Sequence, residues 1–300
     1  MPDSTRPSPK LVISALILVQ ILFGLNYVIS KVVVHAFPPL VWAQLRAGIS
    51  ALCLVSIAFA SKRPFPKDGR KFFIPLIGLS LLGVVINQCS FLIGLNYTTA
   101  TNSAVLNTLI PVFTLLIVVI RGQEKLTPIR TLGFAMAFAG VLIIRKIENL
   151  TFSDHTWIGD LLMIVNCLSY ACFLSFGRQF IEKHDRLWTT AWLFVYGSVV
   201  ISVLSIPQWS GFQAPVFTPQ LGWCMAFAIF GGTLTTYFLN NWALAYTKSS
   251  SVAIFIYLQP VVASVLAYFV LGEIVSLRTV LACVLIFLGV VLVIRTTAKA

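Results

Sequence analysis

Charge is what this chain has least of: among 300 residues, nine are acidic and 21 are basic, while 58% are hydrophobic. A soluble globule needs roughly a quarter of its residues charged to cover its surface, so that class is excluded. A mean hydropathy of +0.94 instead marks an integral membrane protein. Acids are scarcest inside the apolar runs. All nine lie in loops or within about a turn of a helix end. Histidine is also sparse: His35, His155 and His184 fall in loops, and no His-Glu-x-x-His stretch occurs. Six cysteines sit in apolar runs without a Cys-x-x-Cys pair or a histidine at ligand spacing, so they read as small core residues rather than disulfides or metal ligands. Catalysis within the membrane would need a buried nucleophile with its base, paired carboxylates or a metal cluster. None is present in the pattern, so the chain does not read as an enzyme, and no metal or cofactor is expected.

What is abundant is apolar length. Ten segments of about 20 residues, each long enough to cross a hydrocarbon layer as a helix, can be drawn at 11–33, 39–61, 71–94, 100–120, 128–146, 157–178, 187–207, 220–243, 249–270 and 277–295. Counting those near span ends with the loops, the two sides carry 16 and four of the basic residues, and Arg46 alone falls well inside a span. By the positive-inside rule both termini are cytoplasmic, and most of the net charge of +12 is topology rather than a sign of nucleic-acid binding. The N-terminal run after Arg6 and Lys10 is too long for a signal-peptide core and reads as an uncleaved first span. The expected setting is a cytoplasmic membrane, with the lipid bilayer and a small-molecule substrate as partners and a monomer as the working unit.

One stretch is written twice. Tyr97, Thr98, Pro111, Glu124, Phe138 and Gly140 return at Tyr246, Thr247, Pro260, Glu273, Phe287 and Gly289, each 149 positions on, and residues 97–144 match 246–293 at 11 of 48 positions without gaps. The chain therefore divides into a tail (1–10), a first repeat (11–146), a linker (147–156), a second repeat (157–296) and a short tail (297–300). Five spans is an odd number, so the second copy must enter the membrane with the opposite orientation. Inverted repeats of this kind place a binding site near the midplane, between the halves.

The letters also resemble a family. Gly122 to Ile144 and Leu271 to Val293 look like the endings of the two EamA repeats of the drug/metabolite transporter superfamily, FGLNYVISK at 23–31 is similar to its first-helix pattern with Phe23 in place of Trp, and GDLLMIVNCLSYACF at 159–173 resembles the start of its second repeat. The resemblance implies an all-α integral membrane protein of ten transmembrane helices in two inverted five-helix EamA-type repeats. It also implies a secondary exporter of amino acids or related metabolites, threonine, methionine and aromatic amino acids among them. Related branches carry nucleotide sugars or organic phosphates, and a membrane receptor or assembly subunit that gives no flux is a third class.

Polar residues cluster on particular spans. Gln20 and Tyr27 share a face of span 1; Asn166, Tyr170 and Phe173 share one of span 6; Gln88 and Phe91 in span 3 correspond to Tyr237 and Asn240 in span 8; Thr108 in span 4 corresponds to Tyr257 in span 9. Helices 1, 3, 4, 6, 8 and 9 are thus expected to line a substrate cavity, while spans 5 and 10, apolar and small with Gly133, Ala137 and Gly140, form a scaffold. For any one of these polar residues, hydrogen bonding between helices is the competing role. Arg46 has two readings: its guanidinium holds a substrate carboxylate, or it snorkels to the outer interface. Pro111 and Pro260 remove amide donors from the carbonyls of Asn107 and Ile256, so both are candidate hinges, mobile or static. Glu124 and Glu273 precede helix-start signals and are expected to anchor the N-termini of spans 5 and 10.

Overall fold

The computed structural model describes residues 7–98, 103, 106–144, 157–262 and 277–298, and the regular structure in them is helical, with no strand. Its helices are α1 (Pro9–Ala36), α2 (Pro39–Ala60), α3 (Arg70–Tyr97), α4 (Leu109–Ile120), α5 (Pro128–Ile144), α6 (Trp157–Lys183), α7 (Arg186–Trp209), α8 (Pro219–Leu244), α9 (Ser249–Val262) and α10 (Leu277–Ala298). Six of these described helices, α1, α2, α3, α6, α7 and α8, are long and apolar enough to cross a membrane; the other four are shorter apolar stretches. Thr101, Glu273 and the linker 147–156 lie outside the described residues.

Helix starts follow from local chemistry. Ser8 accepts from the Leu11 amide with Pro9 in the first turn, Asp185 accepts from the amides of Leu187 and Trp188 at 3.0 Å each, and Thr218 accepts from Leu221 with Pro219 following. Each cap satisfies a donor that the first turn would otherwise leave unpaired. Side chains such as Val28, Leu52, Ile120, Val203 and Phe287 stand more than half exposed. Spread along helices with few charges, such a surface suits lipid rather than water.

Packing obeys the repeat. α2 lies on α7 and α5 on α10, each helix against its own counterpart, while the α3–α6 pair is answered by α8 on α1. The α5–α10 contact depends on small residues: a Cβ on Gly133 would stand 2.9 Å from the Gly289 carbonyl, and one on Gly140 2.8 Å from that of Ala282. Within α3 and α8 the helix widens to a π-type turn at Leu81–Ile86 and again at Phe227–Thr235. These segments contain Gly83 and Gly232, which are 149 apart. Each glycine receives a side chain from the facing helix, Phe173 at Gly83 and Asn26 at Gly232. The wide turns and the glycines together bring α3 and α8 close to the centre of the molecule, where polar side chains gather.

Candidate functional site

Between the two repeats lies a cavity of about 570 Å³, counting its open mouth. Its walls come from all six helices expected to line it, α1, α3, α4, α6, α8 and α9, and α2 adds Arg46; none of the described residues of α5 and α10 lines it. The contributions of α4 and α9 are set by their prolines. Pro111 cannot donate to the Asn107 carbonyl, which instead accepts from Ile110 at 3.1 Å, and Pro260 leaves the Ile256 carbonyl to the amide of Gln259. Both breaks therefore tighten the chain to a three-residue turn, at Asn107–Thr108 and at Phe255–Leu258. The tightened turns present Asn107 and Ile110 to the cavity from one repeat, and Ile256 and Gln259 from the other. These are counterparts at a separation of 149, with the amide exchanged between the two positions.

Among the described lining residues, Arg46 is the only charged one. It is 3% exposed, so it does not snorkel to the surface; the guanidinium turns inward, and Nε and Nη2 both donate to Oε1 of Gln88, at 3.2 and 3.0 Å. Its Nη1 and the Nε2 of Gln88 are buried with no hydrogen-bond partner. Acceptors around the cavity are in the opposite condition. Oδ1 of Asn87 accepts from Tyr237 at 2.7 Å, Oε1 of Gln259 from Tyr27 at 3.1 Å, Oδ1 of Asn26 from Ser30 at 3.2 Å, and Oδ1 of Asn107 from the Cys167 thiol at 3.3 Å. The cavity thus keeps two idle donors while its amide oxygens are largely engaged. Idle buried donors are costly, about 1–3 kcal/mol each, and mark a place where a bound group could complete the network.

Of the eleven expected binding residues, Tyr27, Arg46, Gln88, Phe91, Asn166, Tyr170 and Tyr237 line this cavity. Gln20 and Asn240 stand one layer behind it: Gln20 accepts from Gln259 at 2.7 Å and Asn240 donates to the Tyr170 hydroxyl at 2.8 Å. Thr108 and Tyr257 are buried elsewhere, Tyr257 against Phe138 of α5 with ring centroids 6.3 Å apart. Their expected face holds for an unbroken helix, and the proline turns rotate it by about one position. The residues missed for this reason are Asn107 and Gln259, and their place beside Pro111 and Pro260 was the available signal. Asn26, also missed, reaches the cavity because Gly232 admits it. Lys31 of α1 is held at the end of α3 by the carbonyls of Leu95 (2.6 Å) and Thr98 (3.1 Å) and is not among the lining residues.

The end of the molecule where α9 begins is sealed by a separate polar web. Glu124 is buried, pairs with Arg130, accepts from the Ser250 hydroxyl and accepts from the Ser250 amide at 3.2 Å. It therefore caps α9 of the other repeat as well as holding α5 through Arg130; the sequence had pointed to α5 alone. Nearby, Arg121 donates to the Ser175 carbonyl at 2.7 Å and lies over Phe176, Ser249 donates to Leu174 at 2.7 Å, and Arg178 donates to Thr247 at 2.7 Å. These bonds tie the first repeat to α6 and α9, and α6 to α9.

Residues 10–146 and 157–295 each match the model of the EamA-like transporter family. The chain is 28% identical to a protein named an uncharacterized transporter in Archaeoglobus fulgidus, over 95% of this chain and 96% of that one. It is 26% identical to the uncharacterized transporter YyaM of Bacillus subtilis, over 90% and 89%. A WAT1-related protein of Arabidopsis thaliana is 21% identical over 95% of this chain and 84% of its own. A solved crystal structure shares the fold with a TM-score of 0.77 at 16% identity, covering 98% of this chain and 99% of that one.

Proposed function

Because the chain belongs to the EamA-like transporter family, we propose that it is a secondary exporter of small amphipathic metabolites, amino acids foremost, working by alternating access between two inverted five-helix repeats. The observation that carries this reading is the buried Arg46, which faces a cavity between the repeats without a carboxylate of its own. A buried charge left without a counter-ion is expensive, and an anionic substrate group would supply the missing partner. Phe23, Tyr27, Phe91 and Tyr237 give the cavity an aromatic wall for an apolar side chain.

In this reading all ten helices cross a cytoplasmic membrane, both termini face the cytoplasm, and the protein works as a monomer. Arg46 lies seven residues after Pro39 at the outer end of α2, so the cavity belongs to the outer half, and the Glu124–Arg130–Ser250 web closes the cytoplasmic end. Export requires this web to open while the outer mouth closes, with the turns at Pro111 and Pro260 as the hinges.

An organic-phosphate or nucleotide-sugar exchanger would hold its dianion with several cations. Among the described lining residues Arg46 is the one cation, and Lys31 is engaged elsewhere, which favours the amino-acid reading. The test is export from liposomes loaded with phenylalanine, methionine or threonine. Liposomes containing the purified protein are expected to release these faster than protein-free ones; equal rates across a broad amino-acid panel would overturn the assignment. Ligand binding without flux would place the protein among receptors.

A further inference from the structure

The balance of donors and acceptors in the cavity goes further than the family assignment. Resting on the transport reading above, we infer that the cavity recognises a single carboxylate, seated on Arg46 Nη1 and Gln88 Nε2, and that a free ammonium group is not required. The substrate class is then monocarboxylates with an apolar or aromatic body, so 2-hydroxy acids and N-acyl amino acids are carried alongside amino acids.

The observations that carry this are independent of one another. Nη1 of Arg46 and Nε2 of Gln88 are both buried without a hydrogen-bond partner, on two lining residues joined through Oε1 of Gln88. None of the described lining residues is acidic, so none of them offers an ammonium an opposite charge. Five of the lining amide oxygens, those of Gln88, Asn87, Gln259, Asn26 and Asn107, already accept from Arg46, Tyr237, Tyr27, Ser30 and Cys167. Charge gives the same answer. One carboxylate neutralises Arg46, whereas an amine without a carboxylate brings a second positive charge beside it, and a phosphate dianion leaves one negative charge unbalanced.

The test uses the full-length protein in two measurements: competition against phenylalanine counterflow in liposomes, and thermal stabilisation in detergent. The probes are phenyllactate, N-acetylphenylalanine, phenethylamine, phenylalaninamide and phenyl phosphate. Phenyllactate and N-acetylphenylalanine are expected to compete within about fivefold of phenylalanine. The two amines and the phosphate should be weaker by roughly fiftyfold, which is what losing a charge-assisted pair of hydrogen bonds costs. Gln88→Met keeps the volume and removes the Nε2 donor together with the Oε1 that holds Arg46, so it should lose the stabilisation by phenyllactate while its ligand-free melting remains cooperative. If phenylalanine is carried but phenyllactate is not, or if an amine or phenyl phosphate competes as well as phenyllactate, the inference falls and the transport reading stands. Stabilisation by the carboxylates without counterflow keeps the site and overturns transport. No binding and no flux with any carboxylate overturns both.

Discussion

Arg46 and Arg130 are buried to nearly the same depth, 3% and 4% exposed, and the protein treats them in opposite ways. Arg130 has the carboxylate of Glu124, the hydroxyl of Ser250 and the carbonyl of Lys125 at 3.1 Å around it. Arg46 has one amide oxygen and, among the described residues, no carboxylate; each guanidinium keeps one nitrogen without a hydrogen bond, Nη1 in Arg46 and Nε in Arg130. A charge that has its counter-ion is part of the frame, because removing either partner strands the other in a poor solvent. A buried charge without a counter-ion costs stability in the resting protein, and such a cost persists where binding recovers it. Under the proposed function, the contrast is between a structural ion and one that awaits its substrate.

The largest effect should come from breaking the paired arginine. Arg130→Ala leaves Glu124 buried beside Ser250 without its cation, at about 3–5 kcal/mol, read as a lower melting temperature in detergent and a lower yield of folded protein. The double change Glu124→Leu with Arg130→Met should recover most of that loss, since an apolar pair of similar volume has no charge to desolvate. If Arg130→Ala melts like the parent, the web is not holding the ends of α5 and α9 together.

Arg46→Ala is the mirror experiment. It removes a charge that lacks a counter-ion, so stability should stay within about 1 kcal/mol of the parent or rise, while flux of phenylalanine falls about 10–100-fold through the lost charge-assisted contact. Unchanged transport kinetics would make Arg46 an ordinary packing residue. Gln88→Glu sharpens the same comparison by giving Arg46 the carboxylate that Arg130 already has. The expected result is a more stable protein with about tenfold slower flux, because the substrate must now compete with a built-in anion. Faster flux would break the analogy between the two arginines.

How much of this was legible in the sequence depends on the range of the forces involved. The apolar segments and the repeat are written in composition and spacing, and the helix boundaries follow from caps such as Ser8, Asp185 and Thr218. Tyr27, Phe91 and Tyr170 could be placed because helical periodicity holds along unbroken stretches. Periodicity fails at Pro111 and Pro260, which is why Thr108 and Tyr257 were favoured over Asn107 and Gln259. The partnership of Glu124 with Ser250 joins residues 126 apart in sequence, and nothing local encodes it. Arg46 was conspicuous as a lone charge in a span, but whether it pointed to lipid headgroups or to Gln88 required the arrangement of α2 against α3.

The smallest expected effect tests how the proline turns feed the cavity. Pro111→Ala restores an amide that can reach the Asn107 carbonyl, so α4 can extend backward as regular helix, at a gain of up to about 1 kcal/mol from the added bond. The same change rotates the Asn107 side chain away from the cavity, where its Nδ2 donates to the Tyr27 hydroxyl at 2.5 Å. If the turn is a static device for aiming Asn107, substrate affinity should fall about threefold with maximal rate unchanged, and Asn107→Ala should add nothing further in the double variant. If the turn is a moving hinge, the maximal rate falls instead, because a straightened α4 resists the exchange between the two access states. The counterpart Pro260→Ala should behave in the same way through Gln259, since the two turns are made by the same chemistry in each repeat.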